Sequence, residues 1–318
     1  MLTFSGFRLA LAIAATLLAC SAAPEDPGDA GAGCLDDRGC TAAPALACRA
    51  GRCVAPVCPD GSSYVRGGRF TLGCQPGDPD CGSDAQPAHP VTLSAGFCLA
   101  VTELSVGAYR RCLASGRCPP PTAPQTLDSL RCSPDLATWT AAAGANEALP
   151  MTCLLWSEAQ AACASVGGRL PTEAEWERAA RGEDGRSLPW GRGAPVLCDQ
   201  GVNFAGSGCP GRPWPAVSDG RQGVMLRGPA GSLDLAGNVS EWVADYYAPD
   251  GYAACASGCT DPAGPAAAPA TGLRVRRGGS YASPLSELRT YARDFHLPAE
   301  PRSDLVGVRC AFGASDGG

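Results

Sequence analysis

The chain contains 19 cysteines in 318 residues, and whether they form disulfides or bind metal decides which folds are open to it. Setting aside Cys20, which ends an apolar leader, leaves 18, an even number that predicts nine disulfides in an oxidising compartment. No two cysteines have the CxxC spacing of zinc and redox motifs, and the only histidines are His89 and His296. A cytosolic zinc or redox protein is therefore disfavoured.

The first 19 residues have the layout of a secretory signal peptide. A positive charge at Arg8 precedes an apolar run that is too short to span a bilayer and that ends in small residues. The run closes on Leu17-Leu18-Ala19-Cys20, which resembles a bacterial lipobox with Cys20 as the lipidated residue; an ordinary signal peptide with a chance cysteine is the alternative. Residues 20–33 then form a flexible tether. We expect an exported lipoprotein at the outer membrane or cell surface, attached to the membrane through its lipid.

The charge of the chain argues against nucleic acid as a partner. The formal net charge is −6, and removal of the leader with Arg8 makes the mature chain more acidic. A protein that binds nucleic acid normally presents a basic surface.

Composition divides the rest of the chain into two parts. Residues 34–58 contain five cysteines and almost no large apolar side chains, so they cannot close a core without disulfides. They form either a cysteine-rich mini-module or an irregular extension that is disulfide-bonded to the main domain. Residues 61–313 have short apolar runs, many Gly and Pro and no internal repeat, which suits one large domain.

The secondary structure expected in the large domain is short and mixed. Helices are predicted at 105–113, 157–166 and 172–181, and strands at 69–72, 91–93, 273–277 and 307–311. Ser157 with Gln160 and Thr172 with Glu175 have the spacing of capping boxes, and Gly182 supplies a helix stop. The fold class is therefore α+β with much irregular structure.

Four short stretches follow one another in a characteristic order over residues 64–312. They are GGRFTLG at 67–73; GRLPTEAEWE at 168–177 with PWG at 189–191; DLAGNVSEW at 234–242; and RGGS at 277–280 with GVRC at 307–310. Together they resemble the formylglycine-generating enzyme, or sulfatase-modifying factor, family. The resemblance implies one compact, irregular domain related to C-type lectin-like folds. Because Trp176 and Ala180 lie on one helical face, the helix at 172–181 is expected in the core, and its glutamates are not expected to be catalytic.

The resemblance also implies two calcium sites built from oxygen ligands, which calcium prefers. The first set is Asp234, Gly237, Val239 and Glu241, and the second is Asn203, Phe204, Asp219 and Arg221. Gly237, Val239, Phe204 and Arg221 would contribute only carbonyl oxygens. For both sets, a solvated turn capped by Asx side chains is the alternative. A structural disulfide between Cys163 and Cys310 is implied in the same way.

The metal site of the catalytic members is missing its ligands. Members that oxidise a sulfatase cysteine hold copper between two thiolates in a GGSxxCxxxxC pattern, because a cuprous ion requires soft sulfur donors. Here Ser283 falls at the first position and Leu288, more loosely aligned, at the second. A serine hydroxyl is a hard donor whose pKa lies far above working pH, so it cannot replace a thiolate. Ser280 matches a serine near the family's oxygen site, and without the metal we interpret it as a turn residue. Copper is therefore not expected.

Other chemistries find little support. Some relatives are non-haem iron enzymes, which need two histidines and a carboxylate, but nothing in the sequence brings His89 and His296 together. A structural or surface role is favoured for both. There is no GxSxG motif for a serine nucleophile.

Two main hypotheses remain. The first is a non-catalytic, calcium-stabilised binding or structural module on the cell envelope, with an unidentified envelope protein or peptide as its ligand. The second is an oxidoreductase of the same superfamily with altered metal ligands. A third possibility is that residues 34–58 act as a docking element. The inserts at 261–270 and 117–132 differ from the oxidase pattern and are candidates for a surface specific to this protein.

Overall fold

The structure is a computed structural model that describes residues 47–49, 52–54, 56–121, 132–191, 198, 201–215, 228–265, 267–294 and 302–316. The predicted signal peptide, Cys20, the tether, Asp219, Arg221 and His296 lie outside these ranges. Within them, no helix combines the length and apolar character needed to cross a bilayer.

Three short helices lie close to the predicted positions. They are α1 (Val106–Ala114), α2 (Trp156–Ser165) and α3 (Glu173–Arg181). At the start of α3 the predicted capping box is confirmed: Thr172 Oγ1 accepts from the Glu175 amide at 3.2 Å, and the Glu175 carboxylate accepts from the Thr172 amide at 2.8 Å. Gly182 ends α3 with a positive φ of 66°, a conformation that glycine adopts without strain.

The start of α2 differs from the prediction. The helix begins at Trp156, one residue early, and the Glu158 carboxylate accepts a hydrogen bond from the Leu155 amide at 3.0 Å. The predicted capping pair of Ser157 and Gln160 is therefore wrong, because Glu158 already satisfies the free amide at this helix end.

The strands are short and form several small sheets. In chain order they are β1 (Ala47–Arg49), β2 (Arg52–Val54), β3 (Pro56–Val57), β4 (Ser62–Val65), β5 (Gly68–Leu72), β6 (His89–Leu93), β7 (Phe97–Ala100), β8 (Ser240–Tyr246), β9 (Cys259–Thr260), β10 (Arg274–Arg277), β11 (Val306–Val308), β12 (Ala311–Gly313) and β13 (Ser315–Asp316). The three-stranded sheets have the orders β10-β8-β11, β12-β7-β4 and β5-β6-β9. Short helices combined with small sheets confirm the predicted α+β class.

Three of the four predicted strands correspond to β5, β6 and β10. The fourth, at 307–311, is instead two strands, β11 and β12, separated by Arg309 and Cys310. The chain changes sheets between them, since β11 pairs with β8 and β12 pairs with β7.

Helix α3 lies in the core, as predicted. Trp176 and Ala180 are fully buried and share an apolar cluster with side chains from β5, β6, β7, β8 and β10. Their burial explains why an aromatic and a small residue occur at i, i+4 spacing on this helix. A second apolar cluster joins α1 and α2 to β8 and β11 around Trp242.

Disulfides link segments that share little regular structure. The described bridges are Cys58–Cys98, Cys74–Cys81, Cys112–Cys118, Cys132–Cys153, Cys163–Cys310, Cys198–Cys209 and Cys255–Cys259. The predicted pairing of Cys163 with Cys310 is confirmed. Cys58, the last residue of the predicted mini-module, is bonded to Cys98 in β7, so this end of the segment is attached to the main domain. This many bridges indicate an oxidising environment.

Candidate functional site

The segment that follows the RGGS stretch is a buried turn without sulfur. Ser283 Oγ accepts from the Ser280 amide at 3.0 Å, and the two hydroxyl oxygens lie 3.2 Å apart. Leu288 is fully buried and packs with Leu188 and Val202. At the two positions where the resemblance places copper ligands, the chain therefore has a serine hydrogen bonded within its own turn and a leucine in an apolar cluster.

No described cysteine is free to supply a replacement thiolate. All cysteines in the described ranges, from Cys48 to Cys310, are disulfide-bonded. A disulfide sulfur is a poor ligand compared with a thiolate. Within this part of the chain the cysteine sulfurs form disulfides and are not thiolates that could bind copper.

The glutamates of α3 belong to a buried ion network. Arg277 donates to Glu177 at 2.5 Å and to Glu173 at 3.0 Å, and Arg181 donates to Glu177 at 3.2 Å. Burial raises the pKa of Glu173, but the positive charges of Arg293 and Arg277 outweigh it and hold this pKa below its usual value. The network stabilises α3 against β10, as expected for glutamates with a structural role.

The predicted first calcium set fits only in part, because both oxygens of Glu241 already accept hydrogen bonds. Arg309 donates to Glu241 Oε1 at 2.7 and 2.9 Å and to Oε2 at 3.1 Å, while Trp176 Nε1 donates to Oε2 at 2.6 Å. A carboxylate has about four acceptor positions, and these four contacts occupy most of them with three N–H groups, since the Arg309 Nε–H is shared between both oxygens. Both oxygens of Glu241 are therefore engaged by Arg309 and Trp176, which leaves little of this carboxylate for a cation in this arrangement.

Beside Glu241, the sequence analysis missed another buried carboxyl group, that of Glu103. Its Oε1 accepts from Asn238 Nδ2 at 2.9 Å, and its Oε2 is buried without a hydrogen-bond donor in the described part of the chain. Burial, with the negative charge of Asp234, raises the pKa of Glu103 well above its usual value. Glu103 is a single acid in the loop between β7 and α1, so no spacing in the sequence identifies it.

The structure describes two of the four residues of the second predicted calcium set, Asn203 and Phe204. Asn203 is buried: its Nδ2 donates to the Arg212 carbonyl at 2.8 Å, and its Oδ1 has no donor among the described residues. The Phe204 carbonyl accepts from Ser207 Oγ at 2.7 Å. An unpartnered buried amide oxygen fits a hard cation. The other two members, Asp219 and Arg221, lie outside the described ranges.

His89 is a buried side chain rather than part of a metal cluster. It is about 1% exposed, and its Nδ1 lies 2.9 Å from the Pro87 carbonyl. Its ring packs edge-on against Tyr252, with the ring centroids 4.9 Å apart. In the described ranges no group of three or more His, Cys, Asp and Glu side chains is placed to hold a metal.

His89 also lines a cavity of about 700 Å³. The cavity lies between the end of β8, a 3₁₀ turn at Gly251–Cys255, and part of the Pro/Ala-rich insert at 261–270. Asp245, from β8, is almost fully buried in its wall and accepts a hydrogen bond from the Glu173 amide at 2.8 Å. Burial, together with the negative charge of Glu173, raises the pKa of Asp245 to about 7.

This raised pKa predicts a pH-dependent gain in stability for Asp245→Asn. In the unfolded chain Asp245 ionises near its ordinary pKa of 3.8, whereas in the fold it stays protonated up to about pH 7. The contribution of Asp245 to stability therefore falls as pH rises from about 4 to about 7. Asparagine does not titrate. The free energy of unfolding of the variant should therefore rise relative to that of the unchanged chain over this range, by no more than about 4 kcal/mol.

Chemical unfolding of the two chains near pH 4.5 and near pH 8 measures this gain. Asp135→Asn, which removes an exposed carboxylate, serves as the control and should show no such trend. A difference between Asp245→Asn and the unchanged chain that stays constant with pH would contradict the prediction.

Comparisons with solved structures agree with the fold. The structure of PvdO from Pseudomonas aeruginosa matches with a TM-score of 0.59 at 21% sequence identity, covering 79% of this chain and 94% of that one. At this level of identity the likeness concerns the fold alone.

Comparisons with characterised sequences point to one family. The chain is 36% identical over 174 residues to a formylglycine-generating enzyme of Streptomyces coelicolor, which covers 51% of this chain and 52% of that protein. It is 33% identical over 181 residues to a mouse protein named inactive C-alpha-formylglycine-generating enzyme 2, covering 52% of this chain and 50% of that protein. The chain thus spans about half the length of these relatives. Residues 55–314 match the family model of the sulfatase-modifying factor enzyme 1-like domain, so the protein belongs to the sulfatase-modifying factor family.

Proposed function

We propose that this protein is a non-catalytic member of its family, an exported binding or structural domain without copper thiol-oxidase activity. The observation that carries the proposal is the turn at Ser280–Leu288. There, Ser283 and Leu288 stand where two thiolates would be required, and the described cysteines are all bridged. Oxidation of a substrate cysteine by a cuprous site depends on two soft ligands, which this turn lacks.

Two further observations support the proposal. The mouse relative carries the word inactive in its name, so loss of activity occurs among proteins at this level of similarity. The many disulfides suit an extracellular location, and the leader ending at Cys20 suits a lipid anchor on the envelope. The ligand of such a domain would be an envelope protein or peptide.

A peptide oxidation assay tests the proposal. The purified chain, with its disulfides intact, is incubated with copper, oxygen and a sulfatase-type peptide that contains a CxPxR sequence. We expect no aldehyde product above a protein-free control, while the Streptomyces coelicolor enzyme converts the same peptide. Turnover that scales with the concentration of this chain would reject the proposal. The same result would favour an oxidoreductase with altered ligands.

We further propose that calcium stabilises the domain at the second predicted site, around Asn203. The support is the unpartnered Asn203 Oδ1, while the hydrogen bonds of Glu241 to Arg309 and Trp176 make the first predicted set a poorer fit. Removal of calcium with a chelator should lower the melting temperature by several degrees, because a ligand that binds only the folded state stabilises it. The Asn203→Ala variant should show a smaller shift. If calcium and chelator give identical melting curves, the domain is not calcium-stabilised.

A further inference from the structure

The cavity beside Asp245 has the size and lining of a small-molecule site. Its volume is about 700 Å³, within the range of ligand-binding pockets, and alanine and proline side chains of two surface segments form much of its wall. A disulfide between Cys255 and Cys259 ties the 3₁₀ turn to β9, and β9 pairs with β6. The wall is therefore fixed by covalent and main-chain bonds.

Two buried side chains in the lining of this cavity, Asp245 and His89, each keep one acceptor atom without a donor among the described residues. Asp245 is about 3% exposed and His89 about 1%. In the described ranges the Glu173 amide alone donates to Asp245, through Oδ2, which leaves Oδ1 without a partner. His89 Nδ1 bonds to a carbonyl oxygen, which can only accept, so Nδ1 carries a proton, and in the neutral ring Nε2 is then the acceptor.

The positive groups of the cavity wall are already committed. Arg293 donates to both oxygens of Glu173 at 2.7 and 3.1 Å and to the carbonyls of Asp84 and Ala248. Tyr252 also gives its hydroxyl proton to Glu173, at 3.1 Å. The arginine of the wall is therefore engaged, the hydroxyls of Tyr246 and Thr260 in the lining can donate or accept, and a further carboxylate, Asp250, lies exposed in the lining. A ligand that complements this wall brings hydrogen-bond donors and a positive charge.

We propose that the cavity binds a small organic amine, in which an apolar body contacts the alanine and proline wall and a protonated amino group donates to Asp245 and His89. An ammonium has three donors and no acceptor, which matches the two unpartnered acceptors. The site goes beyond the function proposed above and does not depend on it, since Ser280, Ser283 and Leu288 do not line the cavity. The raised pKa of Asp245 is consistent with a carboxyl group that lacks its cation.

Calorimetric titration of the full, disulfide-intact chain tests this site. The probes are 2-phenylethylamine and tryptamine, each compared with the neutral alcohol of the same shape, 2-phenylethanol and tryptophol. We expect at least one amine to bind with one-to-one stoichiometry and at least tenfold more tightly than its alcohol. Asp245→Asn should remove that preference, and Asp135→Asn, with its exposed carboxylate, should leave it unchanged.

A second variant tests the site independently, in case Asp245→Asn does not fold. Ala253 lines the cavity from an exposed position in the 3₁₀ turn, so Ala253→Phe fills the space without disturbing the core. It should weaken amine binding at least tenfold while the melting temperature of the ligand-free chain stays unchanged. The inference is overturned if neither amine binds, if amine and alcohol bind equally, or if Ala253→Phe leaves amine affinity unchanged. None of these results bears on the absence of oxidase activity.

Discussion

Arg309→Met is expected to lower the free energy of unfolding by about 3–5 kcal/mol, the usual cost of removing one partner from a buried ion pair. Arg309 is fully buried, and its guanidinium donates to the carbonyls of Ala100, Val101 and Leu233 at 2.7–2.9 Å as well as to Glu241. Methionine has a similar length but no donor. The variant therefore leaves three carbonyls without this donor and an uncompensated carboxylate in the core.

Denaturant unfolding of the oxidised chain measures this loss. The matched control is Arg169→Met, which removes an arginine whose pair with Glu175 lies near the surface, with 49% of the Arg169 side chain exposed. The control should cost less, about 1–2 kcal/mol, since solvent screens the half-exposed Arg169 although its partner Glu175 is only 11% exposed. Equal losses in the two variants would show that Arg309 does not organise the core.

Removal of the Cys163–Cys310 bridge is expected to cost up to about 5 kcal/mol. The bridge joins residues 147 apart in sequence, and the chain-entropy model gives about that value for a loop of this length. The other described bridges do not cross this loop: two lie inside it and the rest precede it. The long loop is therefore closed by one covalent bond in the described part of the chain.

The control for this prediction is the Cys112–Cys118 bridge, which spans only 6 residues and lies in the same apolar cluster. Its removal should cost about 2 kcal/mol by the same model. Both double Cys→Ala variants lose buried sulfur of similar volume. The difference between their unfolding free energies therefore measures the effect of loop length. If the short bridge costs as much as the long one, the loop is not the source of the stabilisation.

Much of the fold could be predicted because its signals are local. Helix α3 is an example: its capping residues, Thr172 and Glu175, are three positions apart, and its buried residues, Trp176 and Ala180, are four apart. Strand β8 was missed for the opposite reason. It is buried along nearly its whole length, so it shows no alternation of polar and apolar residues.

The candidate site divides in the same way. The absence of a thiolate pair could be predicted because it is a statement about which residues occur in one segment. The role of Glu241 could not, because its partner Arg309 is 68 residues away and no local spacing indicates the pair. Asp245 and Glu103 are isolated acids in sequence, and only the fold buries them beside other charges.

The most direct test of the non-catalytic assignment is a cuprous-ion competition titration of the oxidised chain. Copper is kept cuprous with ascorbate and competed against a chromogenic chelator, with the Streptomyces coelicolor enzyme as the positive reference. We predict that the chelator retains all the copper, because Ser283 and Leu288 provide no soft ligand. One equivalent of copper withdrawn from the chelator by the intact chain, as the reference enzyme withdraws it, would contradict the account.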